Sequence, residues 1–131
     1  MPAGSKQPTR AQRKPAPRSN KPDGEKEVLD KVASWQPKDR TIGKRLHAIV
    51  KENAPELTPR TWYGMPAYAK DGKVVLFFRD RAKFKEPYMT LGFNSTAKLE
   101  DGPMWPVYFA LTELDDKVEA KIARLVKKAV R

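Results

Sequence analysis

The chain has no cysteine and a single histidine, His47, among its 131 residues. Without cysteine it cannot form a disulfide, a thiolate-ligated zinc or iron–sulfur site, or a cysteine nucleophile. One imidazole excludes any site that needs two histidines from the same chain. No apolar run approaches the roughly 20 residues of a membrane-spanning helix. These absences remove several classes of metalloprotein, redox protein and membrane protein from consideration.

Acidic residues are scarce beside basic ones: 16 Asp and Glu face 27 Lys and Arg, which gives a formal net charge of +11. Residues 1–24 hold six basic residues, one acid and five of the 12 prolines, but no aromatic residue, Ile, Leu or Val. Such a segment cannot bury enough apolar surface to offset its ordering entropy, so we predict a disordered basic tail. Because the tail also lacks the apolar stretch of a secretory signal, we expect a cytoplasmic protein. The remaining domain, residues 25–131, carries an unremarkable +6.

Three segments show helical spacing of apolar residues. The first helix is predicted to begin at Asp23 or Gly24 and to be ended by Pro37. The second spans residues 39–53 with Asp39 as its cap, and a closing helix spans residues 115–130. Their apolar stripes are Val28, Leu29 and Val32, then Ile42, Leu46, Ile49 and Val50, and finally Val118, Ile122, Leu125, Val126 and Val130.

Strands are predicted between the helices. Asp71-Gly72 suits a two-residue hairpin turn with positive φ, so it should join strands 66–70 and 73–79. Further strands are expected at residues 60–63, 88–93 and 107–110. Runs of strands without alternating helices predict an α+β fold. We therefore expect two layers, with two N-terminal helices and one C-terminal helix covering one face of an antiparallel sheet of about five strands.

The expected hairpin register assigns side chains to the two sheet faces. Lys70 should face Lys73, Tyr68 should face Val75, and Ala67 should face Leu76. Alternation then puts Ala67, Ala69, Val74, Leu76 and Phe78 under the helices and leaves Pro66, Tyr68, Val75 and Phe77 on an open face. In the next strand, Met89, Leu91 and Phe93 should share one face and Tyr88, Thr90 and Gly92 the other.

Exposed apolar faces mark ligand grooves or oligomer interfaces. The aromatic open face, together with the segment Arg60–Tyr68, therefore predicts a site for a small ligand, another protein or a second copy of the chain. The candidate ligand-binding residues are Trp62, Tyr63, Met65, Tyr68, Phe77, Tyr88 and Trp105.

Catalytic signatures are not found in the sequence. His47 lies near Lys44 and Lys51 on the basic side of its helix, so we expect a surface histidine that is neither protonated nor a metal ligand. Nothing ties a serine to His47 as a triad requires. There is no phosphate-binding glycine loop. The chain is therefore predicted to be a non-enzyme without a cofactor.

Two alternatives remain open. Glu113, Asp115, Asp116 and Glu119 could offer oxygen ligands to a hard cation, although acids at a helix N-terminus also cap the helix and complement its dipole. The loop residues Arg79, Arg81, Lys83 and Lys85 could, with the basic tail, hold phosphate backbones weakly and without sequence preference. Basic stripes on helices, however, also serve solubility.

Several ordered motifs resemble the YdhG/YdeI-like family of small bacterial proteins, a domain of unknown function. They are Trp62 with Met65-Pro66-Ala67-Tyr68, the strand Gly72–Phe78, Ala82-Lys83-Phe84-Lys85, Leu91-Gly92-Phe93, residues 101–106 and residues 109–114. The resemblance covers about residues 26–131 and implies an antiparallel sheet with helices packed on it.

Some members of that family are described as frataxin-like iron chaperones, so the resemblance makes iron a possible ligand. This chain departs from them at Lys83-Phe84-Lys85, where those members tend to show Lys-Lys-His. An iron site here would have to be built from carboxylates. The preferred hypothesis is thus a non-catalytic binding module, with iron chaperoning and nucleic-acid association as alternatives.

Overall fold

A computed structural model of the chain describes residues 22–131, with side chains from Gly24 onwards. The predicted disordered tail, residues 1–24, lies outside the described residues except for its last three, which begin the first helix. The three helices are α1, Pro22–Ala33; α2, Pro37–Asn53; and α3, Asp116–Ala129. The five strands are β1, Thr58–Trp62; β2, Met65–Lys70; β3, Lys73–Arg79; β4, Met89–Phe93; and β5, Tyr108–Leu111. A short 3₁₀ turn spans Ala82–Phe84.

The predicted fold class is confirmed. All neighbouring strands are antiparallel, and the sheet order β1-β2-β3-β4-β5 follows the chain. Two helices precede the sheet and one follows it. None of the helices between residues 22 and 131 is long and apolar enough to cross a membrane.

The boundary between α1 and α2 differs from the prediction. Pro37 does not end α1, which stops at Ala33, but begins α2. A proline fits the first helical turn because its missing N–H would have no partner there. Asp39 is consequently the third residue of α2 rather than its cap, and Gln36 occupies the cap position without a side-chain hydrogen bond. The buried Asp39 carboxylate is free to bond outside the helix.

The turn between β2 and β3 forms as predicted, with positive φ at Asp71 (53°) and Gly72 (79°) and with Lys70 opposite Lys73. The register beyond it is different. The ladder shifts between Tyr68 and Ala69, so that Tyr68 faces Leu76 and Ala67 faces Phe77. A β-bulge of this kind places one extra residue in one strand and changes which side chains share a face.

The bulge therefore overturns the predicted face assignment. Tyr68 packs with Leu76 and Phe78 in the core between sheet and helices. Ala67 and Val74 lie instead with Phe77 in a second, smaller cluster. Val75 joins the helix-side core rather than the open face. The predicted alternation in β4 holds, because Met89, Leu91 and Phe93 all lie in the helix-side core.

Candidate functional site: an aromatic and basic sheet face

The sheet surface opposite the helices, called the open face below, is defined by one register line across all five strands. Arg60 pairs with Ala67, Ala67 with Phe77, Phe77 with Gly92, and Gly92 with Tyr108. Directly paired residues of neighbouring strands present their side chains on the same face. The open face thus carries a large ring from β3 and another from β5 on either side of a glycine.

Gly92 makes the contact between those rings possible. A Cβ atom at position 92 would lie 2.4 Å from Cζ of Phe77. The Phe77 ring therefore occupies the space above the glycine backbone and meets the ring of Tyr108 edge-on, with centroids 5.8 Å apart. Gly92 is required here for close approach.

Four neighbouring rings form a continuous row, which we call the aromatic row. Its members, in order, are Tyr63, Trp62, Phe77 and Tyr108. Successive ring centroids lie 4.9, 5.4 and 5.8 Å apart. Phe77 at the centre is buried, and Trp62 is half-buried. The ends of the row are open to solvent, since Tyr63 is 78% exposed and Tyr108 is 61% exposed. The row therefore exposes apolar ring surface to a partner at both of its ends.

Tyr63 is held in an unusual backbone conformation. It and Gly64 form the two-residue turn between β1 and β2, with φ of 52° and 74°. The left-handed region is an outlier for a bulky side chain, and such strain collects at functional sites. The bend predicted at Gly64–Pro66 therefore begins one residue earlier, at Tyr63. This turn exposes the Tyr63 ring to solvent.

Charge on the sheet is of one sign. The five strands between residues 58 and 111 contain four basic residues and no Asp or Glu. Arg79 lies with its guanidinium 4.6 Å from the centre of the Phe84 ring and 3.4 Å from the Glu86 carboxylate. Its Nε atom is buried and has no hydrogen-bond partner among the residues from 22 to 131. Arg60, Lys70 and Lys73 are the other three strand cations.

Two depressions lie at the β2–β3 turn, and one of them adjoins the aromatic row at Trp62. An open-face groove of about 520 Å³ is lined by Arg60, Trp62, Gly72, Lys73, Val74, Asn94, Ser95 and Thr96. A basic pocket of about 310 Å³ is lined by Lys70, Asp71, Lys73, Val75, Thr96, Lys98, Ala129, Val130 and Arg131. Lys73 and Thr96 line both, but the basic pocket also meets the end of α3 and so lies on the helix side of the hairpin.

Four of the seven predicted ligand-binding residues come together on this face. Trp62, Met65 and Phe77 lie in one cluster, and Tyr63 packs on Trp62. Tyr88 is half-buried immediately before β4. The other two predictions are wrong in placement: the bulge puts Tyr68 under the helices, and Trp105 packs against the helix-side core.

His47 is not the predicted surface histidine. It is 7% exposed, with Nδ1 2.8 Å from the Tyr68 hydroxyl and Nε2 2.7 Å from a Glu25 carboxylate oxygen. Since the carboxylate can only accept, Nε2–H donates to Glu25, and Nδ1 is the ring nitrogen that shares the hydrogen bond with the Tyr68 hydroxyl. The bond from His47 is the main reason that the pKa of Glu25 is lowered, and burial raises the pKa of Tyr68.

This Tyr–His–Glu chain runs from the core at Tyr68 to the partly exposed Glu25. The Tyr68 side chain is fully buried. These hydrogen bonds join α1, α2 and β2. Sequence reasoning missed it because the three partners come from three different elements.

Two of the four residues in the predicted acidic cluster make structural contacts. The Asp115 carboxylate accepts a hydrogen bond from the Val118 amide at 2.9 Å and caps α3. Glu119 lies 2.9 Å from the Arg45 guanidinium. Within residues 22–131, no group of three or more His, Asp or Glu side chains is arranged to hold a metal ion. Glu113, Asp115, Asp116 and Glu119 therefore do not form the proposed iron site.

Of the four cations in the predicted basic loop, two are bonded to other parts of the protein and two are exposed to solvent. The Arg81 guanidinium donates to the Asp39 carboxylate at 2.9 Å and to the carbonyl oxygens of Pro87 and Thr112. Arg81 thus connects α2, the β3–β4 loop and the end of β5, and is unavailable to a phosphate. Arg79 is engaged with Glu86 and Phe84. Only Lys83 and Lys85 of the four project into solvent.

Sequence reasoning included Arg60 only in the wider segment Arg60–Tyr68, and it missed Tyr108 as a member of the site. The sequence did contain a signal that Tyr108 lies on the open face. Tyr108 precedes the inward-facing Phe109 in a predicted strand, so its side chain should point the opposite way. Gly92, its partner in β4, was also expected on the open face. What the sequence did not indicate is that the Phe77 ring fills the gap above Gly92. No protein-family model, curated protein or solved structure matches the chain.

Proposed function

We propose that the protein is a non-catalytic binding module whose open face takes a ligand with a planar ring. The exposed aromatic row carries this proposal. Its end rings, Tyr63 and Tyr108, remain more than half exposed, whereas the large rings of Tyr68, Phe78 and Phe93 on the sheet's other face are fully buried. Large contiguous apolar surface of this kind marks a binding site. Membership of the YdhG/YdeI-like family and a cytoplasmic location are proposed from the sequence alone.

The chemistry of the face favours binding over catalysis. The one imidazole is committed to Glu25 and Tyr68 on the other side of the sheet. The groove beside Trp62 is lined by amide, hydroxyl and cationic groups, with no carboxylate to act as a base. Rings that stack and cations that attract negative charge are suited to hold a planar anion.

An aromatic sulfonate tests the proposal directly. The probe is 8-anilinonaphthalene-1-sulfonate, titrated with the full chain and followed by its fluorescence. Trp62→Leu and Tyr108→Leu keep apolar bulk but remove rings from the row, and each should weaken binding at least about fivefold, the effect of one lost stacking contact. Trp105→Leu is the matched control on the helix side of the sheet.

Thermal unfolding of each variant shows whether the fold survives. Equal affinity of wild type, Trp62→Leu and Tyr108→Leu, all folded, would contradict the proposal. A loss of affinity in Trp105→Leu as large as in Trp62→Leu would also contradict it, because the probe would then report general loosening of the core.

A further inference from the structure

We infer that the natural occupant of the open face is a single-stranded nucleic acid, with bases stacked on the aromatic row and phosphates in the basic pocket. The inference rests on the proposed function and names the partner of that same site. It differs from weak association through the tail and the β3–β4 loop, since it uses the sheet surface and the β2–β3 turn.

The charge of the sheet selects an anionic partner. The strands between residues 58 and 111 hold four basic residues and no acid, so no carboxylate in the strands opposes an anion. The basic pocket is lined by Lys70, Lys73, Lys98 and Arg131 against one carboxylate side chain, Asp71. Lys70 and Lys73 face each other directly across the hairpin. Like charges placed opposite each other are unfavourable, and a bound anion relieves that repulsion.

The rings and cations lie at a spacing that an oligonucleotide can bridge. Lys73 and Phe77 are four residues apart in β3, which corresponds to roughly 13 Å along a strand. The groove beside Trp62 and the basic pocket lie on opposite sides of the hairpin and share Lys73 and Thr96, so an oligonucleotide would pass from one to the other around the β2–β3 turn. A chain of a few nucleotides, the lower end of the site sizes known for sheet-based single-strand binders, spans this distance.

The shape of the face favours single strands over duplexes. Exposed rings can stack only on bases that are already unstacked, and the open face presents a flat sheet rather than a helix that could enter a groove. Stacking tolerates any base because every base has a π-face, so little sequence preference is expected.

The same residues fit a protein partner less well. Lysine is depleted in protein–protein interfaces, whereas basic residues beside aromatic rings are typical of nucleic-acid surfaces. Lys73 and Lys98 are exposed, and neither forms an ion pair within the part of the chain that the structure describes. Binding of a second copy would bring two such basic faces together at close range.

Fluorescence anisotropy of a labelled ten-nucleotide oligothymidylate, titrated with the full chain at several salt concentrations, tests the inference. Trp62→Leu and Tyr108→Leu should each weaken binding at least about fivefold, and Trp105→Leu should not. The pair Lys73→Ala/Lys98→Ala should reduce the slope of log affinity against log salt by about 1.4, because two phosphate contacts are lost. The charge-matched pair Lys44→Ala/Lys117→Ala on the helix surface should change that slope much less.

Three results would overturn the inference: no oligonucleotide binding, equal binding by the ring variants and wild type, or equal slopes for the two lysine pairs. Equal binding by the ring variants, or equal slopes for the two lysine pairs, would mean that the oligonucleotide binds through the tail or through the net charge of the protein. If the sulfonate binds at the aromatic row while the oligonucleotide does not, the inference fails and the proposed function stands. If neither binds, both fail. Light scattering run in parallel would show whether a second copy occupies the face instead.

Discussion

At the scale of single residues, His47 shows how a side chain's role depends on partners that are distant in sequence. Its neighbours Lys44 and Lys51 suggested a solvated position, but α1 and β2 bring Glu25 and Tyr68 to its two ring nitrogens. A buried imidazole with both nitrogens bonded avoids the penalty of an unsatisfied polar group, about 1–3 kcal/mol for each group left unpaired. The helical pattern of α2 alone contains no information about either partner.

The lowered pKa of Glu25 predicts acid-dependent stability. The carboxyl group in the folded protein has a pKa below its ordinary value of 4.5, mainly because it accepts the bond from His47. The ionised form therefore adds stability above about pH 4.5, and this contribution is lost as the pH falls through the folded-state pKa. Urea unfolding from pH 7 to pH 3 should show wild type more stable than Glu25→Gln at neutral pH, with the difference shrinking below pH 4.5.

Glu56→Gln, at an exposed loop residue, controls for the loss of one negative charge. A stability difference between wild type and Glu25→Gln that stays constant down to pH 3 would mean that the hydrogen bond to His47 does not depend on ionisation.

The strained Tyr63 predicts that stability and binding can be separated at one position. Tyr63→Asn places a residue that tolerates positive φ before Gly64, which is the preferred pair for a two-residue turn of this type. The variant should be more stable by about 0.5–1 kcal/mol in urea unfolding, below the full cost of a left-handed bulky residue because the contact with Trp62 is also lost. It should bind the sulfonate probe less tightly than wild type.

Tyr63→Phe retains both the strain and the ring and should leave stability unchanged. If Tyr63→Asn were less stable than wild type, the packing of Tyr63 on Trp62 would outweigh its backbone strain.

At the scale of elements, the β-bulge between Tyr68 and Ala69 decides which face is aromatic. The turn chemistry of Asp71-Gly72 and the pairing of Lys70 with Lys73 could be predicted from sequence, as could the length of β3. The bulge could not, because alternating short patterns on both strands allow either register. One extra residue moved Tyr68 into the core and Ala67 to the open face, which is the usual consequence of a register change in a sheet.

The pairing of β3 with β4 predicts a coupled effect of Phe77 and Gly92. Gly92→Ala puts a methyl group where the Phe77 ring lies, 2.4 Å from its Cζ, and should destabilise the fold by about 1–3 kcal/mol. Phe77→Leu removes the obstructing ring edge. The double variant should therefore be more stable than the sum of the single effects predicts, by at least about 0.5 kcal/mol.

Urea unfolding of the four proteins measures this coupling. Simple additivity would show that the ring moves aside at no cost, and the close approach of Phe77 to Gly92 would then not be a constraint on the sequence.

At the scale of the whole molecule, the fold was more predictable than the site. Helical spacing, the Asp-Gly turn and the order of elements were local signals, and they were enough to predict two layers and five strands. The site depends on non-local facts: the bulge, the Phe77 ring over Gly92, and the contacts of Arg81 with Asp39, Pro87 and Thr112. Each joins residues from different elements, so periodicity within one element could not reveal them.

The layered arrangement predicts a gradient of local stability across the sheet. β3 is bonded on both sides, by β2 and β4, and five of its residues, Val74 to Phe78, are buried. β5 lies at one edge, is four residues long and has only Leu111 fully buried. Amides with few buried contacts and a free strand edge open at lower free energy. Native-state hydrogen exchange of the full chain should show slowest exchange in β3 and fastest strand exchange in Tyr108–Leu111.

Because Tyr108 belongs to both the aromatic row and this edge strand, a ligand on the open face should slow exchange in β5 more than in β3. The comparison needs only the sulfonate probe at saturating concentration, with the Tyr108→Leu variant as the control in which that added protection is lost. Equal slowing of all five strands would instead mean that the probe stabilises the folded state globally without contacting the row. Exchange in β5 as slow as in β3 before any ligand is added would contradict the layered gradient itself.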